Sequence, residues 1–371
     1  MQIDNSVLKN DEKAIFGLRS LYSKHGYTQY KMNKFEEYDL YVRNKDFLVS
    51  DNIITFTDTS GKLMALKPDV TLSIVRGDRE AAAVRKVCYS ENVYRCARSG
   101  GFAEIMQVGL ECLGDIDDYC VSEVLLLAAE SLRRIAPEGV LTLSHLGVLT
   151  ALIDGCGVSR EAAAEMLACI GEKNAHGLSL CCAQNGVEAV RAEALESLCA
   201  CYGAPDTVLP QWERILDGLV DTAPLSQLGQ VIASLPETVR AMLRIDCAVV
   251  DNPRYYNGVV FRGFVPGLPD SVLSGGRYDG LVRRMGRTHG AIGFAVYADR
   301  LERLDDGRGF DVDAVLLYDG DCTPDAVLTA VQSLTAEGLR VTAQRALPEK
   351  LTWRRLLRLV GNEVTLLEDH A

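Results

Sequence analysis

The chain has 371 residues, 48% hydrophobic and 24% charged, enough to bury a substantial core in two or three units. A formal charge of -12 and a pI near 5.0 argue against a dedicated polyanion binder, because phosphate contacts depend on clustered Lys and Arg. Neither the polar first ten residues nor any later stretch approaches the roughly 20 apolar residues of a membrane span, so a cytoplasmic protein without a membrane partner is expected.

In chain order, Ile15, Leu18, Leu21 and Tyr22 recur at helical spacing within 12–27, and His25-Gly26 ends that helix. Short β-like runs follow at 28–32, 53–57 and 63–66, the last two joined by the hairpin turn Asp58-Thr59-Ser60-Gly61. Runs at 86–89, 92–96 and 104–111 read as antiparallel strands around Ser99-Gly100-Gly101. An amphipathic helix over 121–135 and an apolar strand at 140–143 come next. From 147 to 240 the composition turns to Ala, Leu, Glu and Arg, which predicts an all-helical insertion that splits one β domain. Strands are expected again at 245–250, 259–264 and 291–296. The tail from 309 reads strand (312–318), helix (324–337), strand (339–343), helix (351–360), strand (363–367): a small α/β unit.

Twelve cysteines show no C-x-x-C, and none of the five histidines stands in H-x-x-x-H or H-E-x-x-H, so free thiols and no metal centre are expected. P-loop, dinucleotide and nucleophile-elbow motifs are absent from the sequence, and no cofactor is implied.

Five segments carry a likeness. Lys67-Pro68-Asp69-Val70-Thr71 resembles the R-P-E-G-T segment of histidyl-tRNA synthetases. The run from Tyr94-Arg95 to Gln107-Val108-Gly109-Leu110-Glu111 resembles motif 2 of class II synthetases followed by the Q-x-x-x-E of the histidine enzyme. Gln107 and Glu111, four apart on a strand, share one face. Arg254-Tyr255-Tyr256-Asn257-Gly258 is similar to Y-Y-T-G, and Gly275-Gly276-Arg277-Tyr278-Asp279-Gly280-Leu281 to G-G-R-Y-D-G-L. Gly293-Phe294 through Asp299-Arg300-Leu301 resembles motif 3. The resemblance covers residues 10 to 305. It implies an α+β, class II synthetase-like antiparallel sheet over 1–308 and, over 309–371, a truncated anticodon-binding-like domain.

By that resemblance, Asp69 and Thr71 hold an amino group, Gln107 and Glu111 line the amino-acid pocket, and Tyr256 with Glu111 reads an imidazole through its one donor and one acceptor. Tyr255 belongs to the same pocket, and Arg254 is expected to hold the carboxylate. Arg95 and Arg300 correspond to the arginines that serve ATP. The catalytic arginine of the family aligns with Asp251, and a unit charge at about 4 Å is worth up to roughly 4 kcal/mol at an effective dielectric near 20. Ala97 replaces the motif 2 glutamate, and Phe102 stands where an arginine is expected.

A histidine pocket kept beside a degraded nucleotide site resembles the synthetase-like regulatory subunits of ATP phosphoribosyltransferase, at the first step of histidine biosynthesis. The expectations are therefore a non-catalytic chain, histidine as ligand, a short-form catalytic subunit as partner, and a homodimer, paired near 26–41, within a larger hetero-oligomer. Specific tRNA binding is not expected. Trp353, Arg354, Arg355 and Arg358 read as one side of a solvated amphipathic helix rather than an RNA-facing stripe. The alternative is a divergent histidyl-tRNA synthetase that activates histidine with ATP.

Overall fold

A computed structural model describes residues 8–43, 53–77, 83–96, 100–250, 255–304 and 310–370. The chain divides into two compact units, Met1–Leu304 and Asp305–Ala371.

The first unit opens with α1 (Asn10–Lys24), β1 (Thr28–Gln29), β2 (Phe35–Glu37), α2 (Tyr38–Val42), β3 (Thr55–Thr57), β4 (Leu63–Leu66) and α3 (Thr71–Arg76). The long hairpin β5 (Arg85–Cys96) and β6 (Phe102–Gly114) leads to α4 (Asp118–Ile135) and β7 (Val140–His145). The helical segment comprises α5 (Leu146–Asp154), α6 (Arg160–Gly171), α7 (Ala175–Gln184), α8 (Ala189–Ala200), the two-residue β8 (Tyr202–Gly203), α9 (Pro205–Leu216), α10 (Ala223–Ala233) and α11 (Glu237–Arg240). The chain then returns through β9 (Leu243–Asp246), β10 (Val259–Phe264), β11 (Leu273–Arg277), α12 (Asp279–Arg284), β12 (Gly290–Tyr297) and α13 (Ala298–Leu301).

These strands form a nine-stranded sheet ordered β1-β5-β6-β12-β11-β10-β7-β9-β8, antiparallel except at the β1·β5 and β7·β9 joints. The fold is α+β. The parallel joint Leu141–Leu143 against Leu243–Ile245 brings the two ends of the helical segment side by side. A separate antiparallel sheet, β2-β4-β3, carries the expected 58–61 turn.

Helix α4 shows why one sheet face is closed. Asp117 caps it by accepting from the Cys120 N–H at 2.8 Å, and Arg133 and Arg134 meet the negative end of its dipole. Val121, Val124, Leu125, Ala128 and Leu132, three or four apart, are buried in the main core with Val108, Leu110 and Cys112 of β6. Each fully buried aliphatic of this kind contributes about 1.5–3 kcal/mol. Since strand side chains alternate, packing 108, 110 and 112 on α4 turns Gln107, Gly109 and Glu111 to the opposite face.

Two expected strands, 86–89 and 92–96, are one continuous strand, β5, paired residue by residue with β6 from Arg85↔Leu113 to Cys96↔Phe102. The strand expected over 245–250 stops at Asp246, where a turn follows; Asp246 Oδ1 accepts from the Ala248 N–H at 2.9 Å. Lys67, just after β4, is 1% exposed, and its ammonium lies 2.6 Å from Glu91 on β5. Glu91→Ala strands that cation in the interior and is expected to destabilise the chain by about 3 kcal/mol, read from denaturant midpoints; adding Lys67→Met to it restores most of the loss.

The second unit holds β13 (Val312–Tyr318), α14 (Pro324–Ala336), β14 (Val341–Gln344), β15 (Trp353–Val360) and β16 (Glu363–Asp369), in the order β14-β13-β15-β16. Residues 351–360, expected as a helix, hold strand β15, parallel to β13 from Val312↔Trp353 to Tyr318↔Leu359. Leu357 and Leu359 point into the core beneath α14 while Arg358 and Val360 are exposed, a period of two. The Trp353–Arg358 residues thus alternate between sheet faces and form no helical stripe. The helix reading failed because Leu351, Arg354, Arg355 and Arg358 also fit a period near four, and nothing local reveals that β13 waits as a partner.

Candidate ligand-binding site

The open face of the large sheet holds a cavity of about 340 Å3, lined by Asp69, Thr71, Arg95, Gln107, Glu111, Tyr255 and Tyr256 together with Tyr89, Ser274 and Tyr297. Seven residues chosen from the sequence thus meet in one place. Their sources are separate: Asp69 and Thr71 sit at the start of α3, Arg95 on β5, Gln107 and Glu111 on β6, and the two tyrosines before β10.

Glu111 is the centre. It is 2% exposed, and its Oε1 accepts from the Thr71 hydroxyl at 2.6 Å and from Tyr89 at 3.5 Å, while Oε2 accepts from Tyr278 at 2.6 Å. Burial pushes its carboxyl up to about 8; the Thr71 and Tyr278 hydroxyls pull against that and the Asp69 carboxylate adds to it. Asp69 also lies above the usual carboxylate range because it is buried, although the Leu72 N–H, bonded to it at 2.9 Å, and the Arg95 guanidinium favour its charged form. Burial raises the phenols of Tyr89, Tyr255 and Tyr278 as well, so all three stay neutral donors.

Glycine makes the room. Gly109 lies opposite Tyr89, and a Cβ there would come 2.5 Å from the tyrosine ring, which occupies the space between Gln107 and Glu111. Gly293 lies opposite Glu111, where a Cβ would collide with the carboxylate and with the Leu110 carbonyl. Gly276 leaves room for Tyr256, since a Cβ would stand 2.7 Å from its ring.

Arg95 donates to the Pro68 carbonyl at 3.1 Å and reaches the cavity. Arg300 is not among the lining residues; its guanidinium covers the Tyr297 ring at 4.4 Å and donates to the Ser271 carbonyl. Arg254, Asp251 and Ala97 lie outside the described residues. The site therefore offers two acidic groups, a cation and several hydroxyls around a small space, a donor set suited to a zwitterion bearing a polar ring.

Residues 5–301 match the family described as Histidyl-tRNA synthetase. The chain belongs to the histidyl-tRNA synthetase family. Within it, an ATP phosphoribosyltransferase regulatory subunit from Symbiobacterium thermophilum is 31% identical, over 78% of this chain and 75% of that protein. A Bacillus halodurans structure, described as an ATP phosphoribosyltransferase regulatory subunit/histidyl-tRNA synthetase, superimposes with a TM-score of 0.74 at 22% identity, covering 95% of this chain and 94% of that one. A chain of the ATP phosphoribosyl transferase (HisG:HisZ) complex from Thermotoga maritima gives 0.59 at 18% identity, over 78% and 97%. The two structural likenesses bear on the fold.

Sequence reasoning missed Tyr89, Ser274, Tyr278 and Tyr297. Tyr278 was within reach, because it lies in the quoted G-G-R-Y-D-G-L segment of the histidyl-tRNA synthetase family. Tyr89 carried no signal: its role follows from pairing with Gly109 across two strands. All twelve cysteines are free. Among the described residues no group of His, Cys, Asp and Glu is placed to hold a metal, and no helix is long and apolar enough to cross a membrane.

Proposed function

We propose that this chain is the regulatory subunit of an ATP phosphoribosyltransferase, required by a short-form catalytic subunit at the first step of histidine biosynthesis, and that histidine binds the Glu111 cavity as feedback ligand. The observation that carries the reading is the match of three-quarters of the chain, at 31% identity, to a protein named as such a subunit. The cavity supports the ligand. In this reading Asp69 holds the ammonium, Arg254 the carboxylate, and Glu111 with Tyr256 the imidazole, whose ring offers one donor and one acceptor; Asp69, Glu111 and Tyr256 line the cavity, and so does Arg95, a second cation for the carboxylate.

The chain itself is non-catalytic in this reading, because Asp251 takes the place of the catalytic arginine of the family, and it pairs with a second copy near 26–41 inside the hetero-oligomer. Histidine inhibits by binding two states of the assembly unequally, since a ligand of equal affinity shifts nothing. Arg95 in the cavity keeps one feature of the alternative, a synthetase.

Mixing the purified chain with a short-form catalytic subunit is expected to raise phosphoribosyl transfer to ATP at least tenfold, and millimolar histidine to reverse the gain. Absence of activation overturns the regulatory role. Histidine-dependent exchange of pyrophosphate into ATP by the chain alone restores the synthetase.

A further inference from the structure

Tyr255, Tyr256 and Asn257 lie outside helix and strand, just before β10, yet Asn257 is held from two sides. The Asn257 N–H donates to the Arg277 carbonyl at 3.0 Å. Its side chain makes a reciprocal pair with Asp279: Oδ1 accepts from the Asp279 N–H at 2.9 Å, and Nδ2 donates to Asp279 Oδ2 at 3.3 Å. Asp279, 5% exposed, also accepts from the Ala291 N–H of β12 at 3.0 Å and from Arg277 Nε at 2.9 Å. Between the two anchored residues 277 and 279 stands Tyr278, whose hydroxyl holds Glu111.

Position 257 is where the family signature quoted above has threonine. A threonine hydroxyl offers one oxygen one bond nearer the backbone, so it cannot accept from the Asp279 N–H and donate to its carboxylate across the span that an amide bridges. We propose that Asn257, acting through Asp279, is a positioning residue of the ligand cavity: it fixes the Tyr256 side of the site to the Tyr278–Glu111 side in one rigid frame. Preorganisation of this kind is read in affinity, because a loop ordered in advance does not have to be ordered by the ligand. The inference rests on histidine being the ligand.

The test is calorimetric titration of histidine into the wild type, Asn257→Ala and Asn257→Thr, each beside its unliganded melting temperature. Leu198→Ala, which opens a cavity in the helical segment away from the site, serves as a destabilised control. Asn257→Ala is expected to weaken histidine at least tenfold and Asn257→Thr by less, while Leu198→Ala lowers the melting temperature and leaves affinity within twofold. Histidine affinity unchanged in Asn257→Ala, or lowered equally in Leu198→Ala, overturns the positioning role and leaves the histidine pocket standing. A wild-type chain that binds no histidine removes the ligand reading, and this inference with it. If Asn257→Ala fails to fold, Asn257→Thr decides by the same comparison.

Discussion

Glu111→Ala is expected to cost about a hundredfold in histidine affinity at pH 7, about 3 kcal/mol, since it deletes a buried, charge-capable partner proposed for the imidazole. The isosteric Glu111→Gln separates shape from protonation. In the folded chain burial holds the carboxyl near 8, against an ordinary value near 4.5. A group whose folded value is raised contributes stability that is complete below about pH 4.5, declines as pH rises, and is gone once pH passes about 8, where folding must bury an anion. Glu111→Gln buries no anion at any pH. The melting temperature of the wild type is therefore expected to fall relative to Glu111→Gln between pH 5 and pH 9; parallel curves show that Glu111 does not titrate in this range. Binding follows the same proton. Below about pH 8 Glu111 already carries it, so little net proton uptake on histidine binding is expected. At pH 9 the proton comes from solvent, and wild-type affinity drops about tenfold per unit while Glu111→Gln is spared that share. Calorimetry in buffers of different ionisation enthalpy measures the uptake directly.

Gly293→Ala is expected to have the largest effect on stability. Strand β12 lies between β6 and β11, and the added methyl meets the Leu110 carbonyl, which belongs to a neighbouring backbone and cannot rotate aside, as well as the Glu111 carboxylate. Overpacking against a fixed strand costs about 3 kcal/mol or more, which in a unit of this size lowers the melting temperature by about 5 °C or more. The cavity closes with it. Gly17→Ala provides the opposite sign: Gly17 lies inside α1 with open space around its Cβ position, and alanine there stabilises by about 0.5–1 kcal/mol. Equal melting temperatures for wild type and Gly293→Ala refute the close packing of β12 on Glu111.

The site was legible where chemistry is written in spacing. Gln107 and Glu111 fall on one face because four residues on a strand make two full periods, and the Asp69–Thr71 segment announced itself by type and order. Tyr89 was invisible, since its place depends on Gly109 opposite it in another strand. The same limit governs the fold. Helix α4 carries its own evidence in the Asp117 cap and the Val121–Leu132 spacing, whereas β15 is a strand because β13 and β16 pair with it, and its leucines and arginines suit a helix equally well. Features fixed within about 15 residues were readable; those fixed by a distant partner were not.

The hydrogen bond from Tyr278 to Glu111 joins residues 167 apart in the chain, and the helical segment lies within that span. Contacts of such separation form slowly, because loop-closure entropy is spent before they give anything back. The cavity accordingly comes into being with the finished sheet, not with any early fragment. If histidine is the ligand, as proposed, it is expected to bind only fully folded chains, and a saturating concentration, 100 times its dissociation constant, to add about 2.7 kcal/mol against global unfolding. Under the proposed function, the end product of a pathway would double as a thermodynamic reporter of completed folding.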